Sequence, residues 1–487
     1  MGREKNAGRM RHDYDLLVIG GGAAGLTAAG MAAGLGAKTA LVEAGKLGGD
    51  CTWHGCVPSK SLLKAAYVAQ AIRHADRFGL TPTSVEHDFR RVMERVRAIR
   101  EKVYEDADSP PNLEKLGVEV ISGHARFLSS HVVEVSGEGG ARQVSASKIV
   151  IATGTSPRRI EIAGMDSVRV LTNETLFELD ELPRRLLVIG GGPIGVEMAQ
   201  AFSRLGSLVT VVSTSGRILP RDDAELSQML LERLRAEGVR VLLNTEVLEF
   251  AGGVALTSTG ERIEAGTVLL AVGRVPNLTG LNFEAAGVRS GVRGIEVDQR
   301  CRTSARHIYA AGDVAGRHMF THMAEQMARV AVTNAVLRMP SRIEEAVVPW
   351  TTFTDPELAQ VGRTEEQLRR EGVRYKVFRF PYSQLDRAIT DSEETGLVKV
   401  LASSWGRILG VSILGAHAGE LIAEYAPAMK SGIRLDQVSA TIHAYPTYSL
   451  ANRRAADLFV MSKFTPALAK WMRWALRLRG NCSGGAA

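Results

Sequence analysis

Two apolar runs, each ending in glycines, set the pattern of this chain. The first, YDLLVIG (residues 14–20), leads into GGAAG, and a small-residue helical pattern extends to Ala37 before the apolar run KTALVE ends at Glu43. The second, RLLVIG (185–190), leads into GGPIG, a helical pattern and the run LVTVVS (208–213). Each order predicts a strand, a glycine turn, a helix and a strand, and therefore an α/β fold.

The glycines of both units have the spacing Gly-x-Gly-x-x-Gly. They are Gly20, Gly22 and Gly25 in the first unit, and Gly190, Gly192 and Gly195 in the second. Such glycines permit a tight turn and let a pyrophosphate approach the N-terminus of the helix. A glycine turn in an ordinary α/β unit is the alternative, but the flanking strands and helices favour a nucleotide site. We therefore predict two dinucleotide sites in one chain.

The two predicted sites differ at the residue expected to contact the ribose. Glu43 lies 23 residues after Gly20 and can hold ribose hydroxyls, whereas Ser213 lies 23 residues after Gly190. A carboxylate would repel a 2′-phosphate, while Ser213 can donate a hydrogen bond to one and Arg217 can neutralise it. Arg217 as a solvated surface charge is the alternative. We predict that the second site prefers NADPH to NADH.

Composition sets broader limits on the protein. A length of 487 residues and 45% hydrophobic content are typical of about two to four globular domains. No uncharged apolar run is long enough to span a membrane, and the first residues lack the apolar core of a signal peptide. We therefore expect a cytoplasmic protein, in which structural disulfides are rare.

The net charge of +7 is concentrated at the two ends of the chain. Residues 1–12 carry +3 and residues 463–487 carry +5, which leaves −1 for the rest. A nearly neutral body has no continuous basic groove for phosphates, and no nucleic-acid module is visible. The composition therefore argues against a nucleic-acid partner.

Two of the four cysteines lie in GGDCTWHGCVPSK, residues 48–60. A disulfide between Cys51 and Cys56 would close a short loop and add little stability, because the benefit of loop closure grows with loop length. We therefore favour a chemically reactive cysteine pair over a structural disulfide. Together with two dinucleotide sites it indicates an electron route from a nicotinamide through a tightly bound flavin to the dithiol.

These motifs resemble the flavin-dependent pyridine nucleotide-disulfide oxidoreductases, the family of dihydrolipoamide dehydrogenase, glutathione reductase and mercuric reductase. The resemblance spans Tyr14 to Arg454 and includes, after the dithiol motif, IATGTSP, GGGPIGVE, AVGRVPN, YAAGDV and FTDPELAQVG. It implies FAD and NADPH, or NAD, as cofactors. It also implies a homodimer and a small-molecule or metal-ion acceptor.

The resemblance further implies a fold of two Rossmann-like dinucleotide-binding domains and a C-terminal α+β dimerisation domain. The FAD-binding domain (13–157 and 283–348) would be split by the inserted NAD(P)-binding domain (158–282). The dimerisation domain would cover residues 349–462, and residues 463–487 would form a basic amphipathic tail.

Site roles also follow from the resemblance. Cys56, at the start of a helix, would face the flavin as the charge-transfer thiolate, and Cys51 would be the outer, interchange thiol. Lys60 would pair with Glu197 beside the flavin ring, the alternative being two unrelated surface residues. Asp313 would bind the flavin ribityl or pyrophosphate region. Further cofactor contacts would come from Gly49, Ala125, Gly154 and Gly273.

The segment HAYPTYSL departs from the disulfide-reducing members of the family. Those members have a histidine where this chain has Tyr445, and a glutamate where it has Leu450, which leaves His443 without an obvious carboxylate partner. A phenol is a poor general base at neutral pH. Mercuric reductases resemble the chain better here, since they have the tyrosine, and a soft Hg(II) ion bound transiently at Cys51 and Cys56 needs no proton for a leaving thiol.

Three hypotheses therefore stay open. The leading one is a mercuric reductase-like enzyme, although the C-terminal tail has only Cys482 where those enzymes carry an adjacent cysteine pair. The second is a dihydrolipoamide dehydrogenase-like disulfide reductase that uses Tyr445 or His443, for which a nearby carboxylate would be the discriminating feature. The third is a membrane-surface redox sensor or electron-transfer flavoprotein. No structural metal is expected, and Cys301 is expected to be a packed or partly exposed thiol.

The third hypothesis rests on the segment PALAKWMRWALRLRG. On a helical wheel Lys470, Arg473 and Arg477 share one face and apolar residues gather on the other, with Arg479 as the exception. Basic amphipathic helices with tryptophan bind anionic membranes, so residues 464–479 would form a peripheral membrane contact. A terminal helix packed on its own dimer is the equally supported alternative.

Overall fold

The computed structural model describes residues 12–84 and 88–478. Contacts divide the chain into two compact units. The first comprises the described parts of Met1–His74, Thr81–Thr214 and Gly238–Glu345, and the second comprises Ala75–Leu80, Ser215–Glu237 and the described part of Ala346–Ala487. None of the described helices is long and apolar enough to cross a membrane.

A seven-stranded sheet forms the first layer of the first unit. In spatial order its main path is Val118–Ser122, Thr39–Glu43, Tyr14–Ile19, Gly140–Ile151, Val132–Gly137 and His124–Phe127. The strand Ile308–Ala310 pairs in parallel with Gly140–Ile151, so chain segments more than 150 residues apart complete one sheet. The apolar run at its centre is fully buried at Leu16, Leu17 and Val18. A strand buried on both faces is typical of a parallel sheet covered by helices.

A second, all-parallel sheet repeats this construction. Its five strands, in order, are Arg240–Leu242, Leu208–Val212, Arg185–Ile189, Thr267–Leu270 and Arg169–Leu171. Short antiparallel strands accompany the two sheets at Val247–Ala251, Val254–Thr257, Arg262–Glu264, Thr155–Pro157, Arg274–Pro276, Ser290–Gly291 and Gly294–Ile295. The predicted strand, glycine turn, helix and strand order is confirmed in both repeats.

The helices of the first unit include those that begin at the two glycine turns, Ala23–Gly34 and Pro193–Arg204. The others are Gly49–Trp53, Cys56–Arg73, Phe89–Val103, Pro110–Lys115, Asn173–Leu176, Phe283–Ala286 and Thr321–Ala335. Gly22 and Gly192 precede the first two helices in extended conformation, so each helix begins directly after its glycine turn.

The second unit is built on an antiparallel five-stranded sheet. In order its strands are Trp350–Thr352, Glu357–Gly362, Ile408–Gly415, Leu397–Ala402 and Lys376–Pro381. Its helices are Ala224–Ala236, Glu365–Arg370, Asp386–Thr390, Ala418–Lys430, Leu435–Ala440, Leu450–Met461 and Pro466–Ala475. The core between sheet and helices contains the buried rings of Tyr382, Tyr425 and Phe459. The α/β class with a C-terminal α+β domain is thereby confirmed, while the predicted domain bounds stay a prediction.

A buried ion cluster stabilises the second unit. The Lys399 side chain is 2% exposed, and its Nζ lies 2.9 Å from Asp223, 2.9 Å from Glu225 and 2.7 Å from Glu365. Asp223 also caps the helix Ala224–Ala236 by accepting from the amides of Glu225 and Leu226. A buried charge is tolerated only when it is paired and hydrogen-bonded, so this lysine connects that helix to the sheet.

Candidate active site

The two thiols of the dithiol motif lie in two consecutive helices. Cys56 is the first residue of the helix Cys56–Arg73, directly after the N-cap Gly55, and Cys51 lies in the preceding short helix Gly49–Trp53. Both are free thiols, with Cys51 partly buried and Cys56 exposed. The Sγ of Cys56 lies 3.4 Å from the Oγ1 of Thr321, the first residue of another helix.

The surroundings of Cys56 favour its thiolate. A hydrogen bond from the Cys51 thiol, assisted by Thr321 and the charge of Lys60, lowers the pKa of Cys56 to about 6, although partial desolvation of the thiol by neighbouring atoms opposes the shift. The same hydrogen bond, together with burial, raises the pKa of Cys51. The positive end of the helix adds to this effect. One proton is therefore shared by the pair, and it lies on Cys51 at neutral pH.

Lys60 and Glu197 form the predicted pair. Lys60 is four residues after Cys56 on the same helix, and its Nζ lies 3.1 Å from Glu197 Oε2. Glu197 lies in the helix that follows the second glycine turn, and its side chain is 6% exposed against 37% for Lys60. The pair brings the dithiol helix against the second nucleotide repeat.

The first glycine turn has the geometry that a dinucleotide requires. Gly20 has a φ of 104°, and a Cβ on Gly25 would collide with the Gly20 carbonyl, so the chain turns tightly into the helix. Glu43 stands at the end of its strand and accepts from the amides of Gly21 (2.5 Å) and Gly45 (2.7 Å). Gly49, with a φ of 57°, approaches Gly22 so closely that a side chain would not fit. These residues fit the adenosine diphosphate half of FAD.

Asp313 lies where three distant motifs meet. Its Oδ2 accepts from Thr155 Oγ1 (3.1 Å), and Arg274 Nε donates to the same hydroxyl (2.7 Å). Burial raises the pKa of Asp313, and the nearby Arg274 charge opposes that rise. Gly154 and Gly273 precede Thr155 and Arg274, and both have positive φ, 66° and 105°. The carboxylate is thus held in place beside backbone that turns in left-handed conformation.

The remaining predicted cofactor contacts are Ala125 and the residues of the second glycine turn and its following strand. Ala125 lies in the strand His124–Phe127 and packs against the sheet core. Gly190 has a φ of 122°, as the second glycine turn requires, and Ser213 is buried directly after the strand Leu208–Val212. The Arg217 guanidinium belongs to the second unit, where it donates to Glu366 (2.7 Å) and to the Pro220 carbonyl (2.8 Å).

His443 has a carboxylate partner, so the expectation that it lacks one was wrong. Its Nε2 lies 2.9 Å from Glu424 Oε1, its Nδ1 lies 3.0 Å from the Thr441 carbonyl, and Asn452 donates to Glu424 Oε2 (2.8 Å). Glu424 lies on the helix Ala418–Lys430, 19 residues before His443, where no motif spacing indicates it. The carboxylate is held by a second side chain, which fixes the imidazole orientation.

Tyr445 lies close to this pair in sequence and is strongly exposed. Its side chain is 68% exposed, and a hydrogen bond with Asp386 raises its pKa, so the phenol stays protonated. Tyr445 and His443 belong to the second unit, whereas the dithiol and the Lys60–Glu197 pair belong to the first. Cys301 is fully buried, and burial raises its pKa to about 12, which makes it an inert thiol. Cys482 lies outside the described residues.

Sequence reasoning missed Thr321, which contacts Cys56 in the first unit, and Glu424, which contacts His443 in the second. Thr321 lies in MFTHMA, eight residues after Asp313, and only its position at a helix start could have drawn attention to it. Glu424 could have been found only by asking which carboxylates a neighbouring helix presents to His443. Thr321 contacts a residue 265 positions away in sequence, whereas Glu424 contacts His443 from a helix only 19 residues earlier.

Comparison with known proteins gives the family. Residues 14–328 match the model described as pyridine nucleotide-disulphide oxidoreductase, and residues 348–456 match the dimerisation domain of the same family, which supports a homodimer. A dihydrolipoyl dehydrogenase of Bacillus subtilis is 35% identical over 442 residues, covering 89% of this chain and 96% of that protein. A mercuric reductase of Lysinibacillus sphaericus is 35% identical over 460 residues, covering 92% and 83%.

Solved structures agree with these relatives. LpdA from Mycobacterium tuberculosis superposes with a TM-score of 0.84 at 30% identity, covering 91% of this chain and 99% of that one. The Cu(II) complex of the HOCl-induced flavoprotein disulfide reductase RclA from Escherichia coli has a TM-score of 0.83 at 28% identity, covering 92% and 100%. With both family models matched in order and the dithiol, the glycine turns and the Lys60–Glu197 pair in place, the chain belongs to the pyridine nucleotide-disulphide oxidoreductase family.

Proposed function

We propose that the protein is an NADPH-consuming flavoenzyme that reduces its acceptor at the Cys51–Cys56 dithiol, with a soft metal ion such as Hg(II) as the leading acceptor. The observation that carries this proposal is the placement of Cys56 at the start of its helix, beside the Cys51 thiol and 3.4 Å from the Thr321 hydroxyl. These neighbours lower the pKa of Cys56 and so favour its thiolate beside a protonated Cys51. A thiolate is the form that binds soft metals and exchanges with disulfides.

The family depends on FAD and takes electrons from a pyridine nucleotide. When bound, FAD supplies the relay of an electron pair from the nicotinamide to a disulfide. The glycine turn at Gly20, Gly22 and Gly25, with Glu43 and Asp313, would hold it. Lys60, which pairs with Glu197 at 3.1 Å, would place its ammonium near the ring.

The proposed role of each thiol follows from whether it is protonated at neutral pH. Cys56, as the thiolate, would stay on the flavin side and hold negative charge there. Cys51 would be the outer thiol that releases its proton on attacking a disulfide or binding a metal ion. With Hg(II), two electrons from one NADPH give Hg(0), and no leaving thiol has to be protonated.

A disulfide acceptor is the second candidate, and the His443–Glu424 pair favours it. Reduction of a disulfide by one NADPH and one proton gives two thiols, so a proton must reach the departing thiolate. An imidazole oriented by a carboxylate is a suitable donor, and His443 is oriented in this way. We propose His443 as that donor and Tyr445 as a residue that contacts the acceptor.

A turnover panel with the purified holoenzyme tests both candidates. NADPH oxidation would be followed with Hg(II) in excess thiol, lipoamide, oxidised glutathione and a quinone. We expect Cys51→Ser and Cys56→Ser to abolish turnover of the dithiol-dependent acceptors while flavin stays bound. If turnover of the best acceptor survives both substitutions, the dithiol is not the site of reduction and the proposal fails.

Glu424→Gln separates the two acceptors. General acid catalysis contributes about 100-fold or more, so we expect disulfide turnover to fall by about that factor while Hg(II) turnover is retained. Glu420→Gln is the matched control, because Glu420 is an exposed glutamate on the same helix. Equal losses with Hg(II) and with disulfides would indicate a structural role for Glu424 and remove the disulfide candidate.

A further inference from the structure

The helix Pro466–Ala475 lies beyond both family matches, the second of which ends at residue 456. It has its own start signal, since the Thr465 hydroxyl accepts from the Leu468 amide (3.2 Å) and Pro466 occupies the first turn. The sequence therefore specifies this helix locally. Arg477 follows it with a φ of 53°, so the helix ends before that residue, and the predicted helical face shared by Lys470, Arg473 and Arg477 was wrong at its last member.

The helix exposes its tryptophans and covers its other side. Trp471 is 60% exposed and Trp474 is 79% exposed, and none of the ten helical residues is buried. The partly covered positions are Ala469, Met472 and Arg473, which share the opposite face at helical spacing. The side turned away from the rest of the described chain is thus the aromatic one. Packing within the subunit does not account for the two indole rings.

The charge carried by this segment itself is positive, although Lys463 pairs with Asp436 of the helix Leu435–Ala440 at 3.7 Å. Lys463, Lys470, Arg473 and Arg477 are the ionisable residues between positions 458 and 478, and the segment contains no acidic residue. The apolar surface continues past the helix at Leu476 (60% exposed) and Leu478 (54% exposed). A surface that combines indole rings and cations matches the headgroup region of an anionic bilayer, where rings lie at the apolar boundary and cations meet phosphates.

We propose that residues 463–478 dock the protein on an anionic lipid bilayer through Trp471 and Trp474, with the exposed Lys470 and Arg477 facing the lipid phosphates. A second copy binding through the same helix fits less well, since a two-fold contact of this kind would set the exposed cations of one copy against those of the other. The proposal does not depend on which acceptor the dithiol reduces.

Vesicle sedimentation of the full-length holoenzyme tests it. We expect strong binding to vesicles of phosphatidylcholine with phosphatidylglycerol, weak binding to phosphatidylcholine alone, and loss of binding at high salt. Trp471→Ser combined with Trp474→Ser should weaken the partition coefficient by about tenfold or more. Trp405→Ser is the matched control, because Trp405 is 82% exposed but lies in the second unit outside this segment.

A charge variant gives an independent test. Lys470→Gln with Arg477→Gln should weaken binding to the anionic vesicles by about fivefold per removed charge, while Lys430→Gln should not change it. Retained flavin absorbance and turnover would show that each variant is folded. The proposal is overturned if the parent protein does not sediment with anionic vesicles, or if the tryptophan variant binds as the parent does. It is also overturned if the parent protein does not bind vesicles and sedimentation velocity shows that the tryptophan variant is monomeric, because the exposed tryptophans then contact a second copy of the chain.

Discussion

The contact between Thr321 and Cys56 gives a measurable prediction about the thiolate. Thr321→Val keeps the β-branched shape at the helix start but removes the hydroxyl that lies 3.4 Å from the Cys56 sulfur. This hydroxyl lowers the pKa of Cys56, together with the larger effect of the Cys51 thiol. Its loss should therefore raise that pKa.

The size of the effect follows from the energy of one hydrogen bond. A hydrogen bond to a charged group is worth about 1.5 kcal/mol, or about one pKa unit. With a pKa of about 6, Cys56 keeps its thiolate above that pH and loses it as the pH falls through 6. A shift of about one unit would lower the thiolate fraction at pH 7 from about 90% to about 50%, and at pH 6 from about 50% to about 10%.

The assay is a pH titration of the far-ultraviolet thiolate absorbance of the reduced protein, with the spectrum of Cys56→Ser subtracted to isolate this thiol. Thr333→Val is the control, since Thr333 lies on the same helix, 12 residues further on, outside contact distance of the thiol. It should leave the titration unchanged. The reasoning is refuted if the parent thiol titrates near the ordinary thiol pKa, or if Thr321→Val leaves the midpoint where it was.

Three further predictions concern the buried Lys399, the Lys60–Glu197 pair and the nucleotide preference of the second site. Lys399→Met should destabilise the fold by about 3–5 kcal/mol, because it leaves buried carboxylates without their cation, and an unchanged thermal unfolding midpoint would contradict this. Glu197→Gln should lower the pKa of Cys56 further, because it removes the anion that compensates the charge of Lys60, whereas Lys60→Met should raise that pKa. The thiolate titration described above measures both shifts, and two shifts of the same sign would contradict the prediction. If Ser213 receives a 2′-phosphate, kcat/KM should be higher for NADPH than for NADH, and a clear preference for NADH would overturn that assignment.

The sequence by itself determined the features that depend only on neighbouring residues, namely the glycine turns and the strand and helix order. Gly20 and Gly190 are needed at positive φ whatever surrounds them, so glycine spacing between apolar runs was sufficient to predict both nucleotide repeats. The placement of Cys56 at a helix start was predicted from the family resemblance of the dithiol motif. The fold class followed in turn, because buried parallel strands alternate with helices.

Tertiary structure decided the contacts that join distant segments. Lys60 and Glu197 are 137 residues apart, and only the family resemblance predicted their pairing. No sequence pattern predicted Glu424 beside His443, or Thr321 beside Cys56, because a side chain finds such partners through the packing of whole helices.

The terminal helix shows the same division within a single element. Its amphipathic pattern was readable from the sequence, and its orientation was not. Which side of a helix faces solvent depends on the surface against which it rests, so only the folded chain left Trp471 and Trp474 exposed.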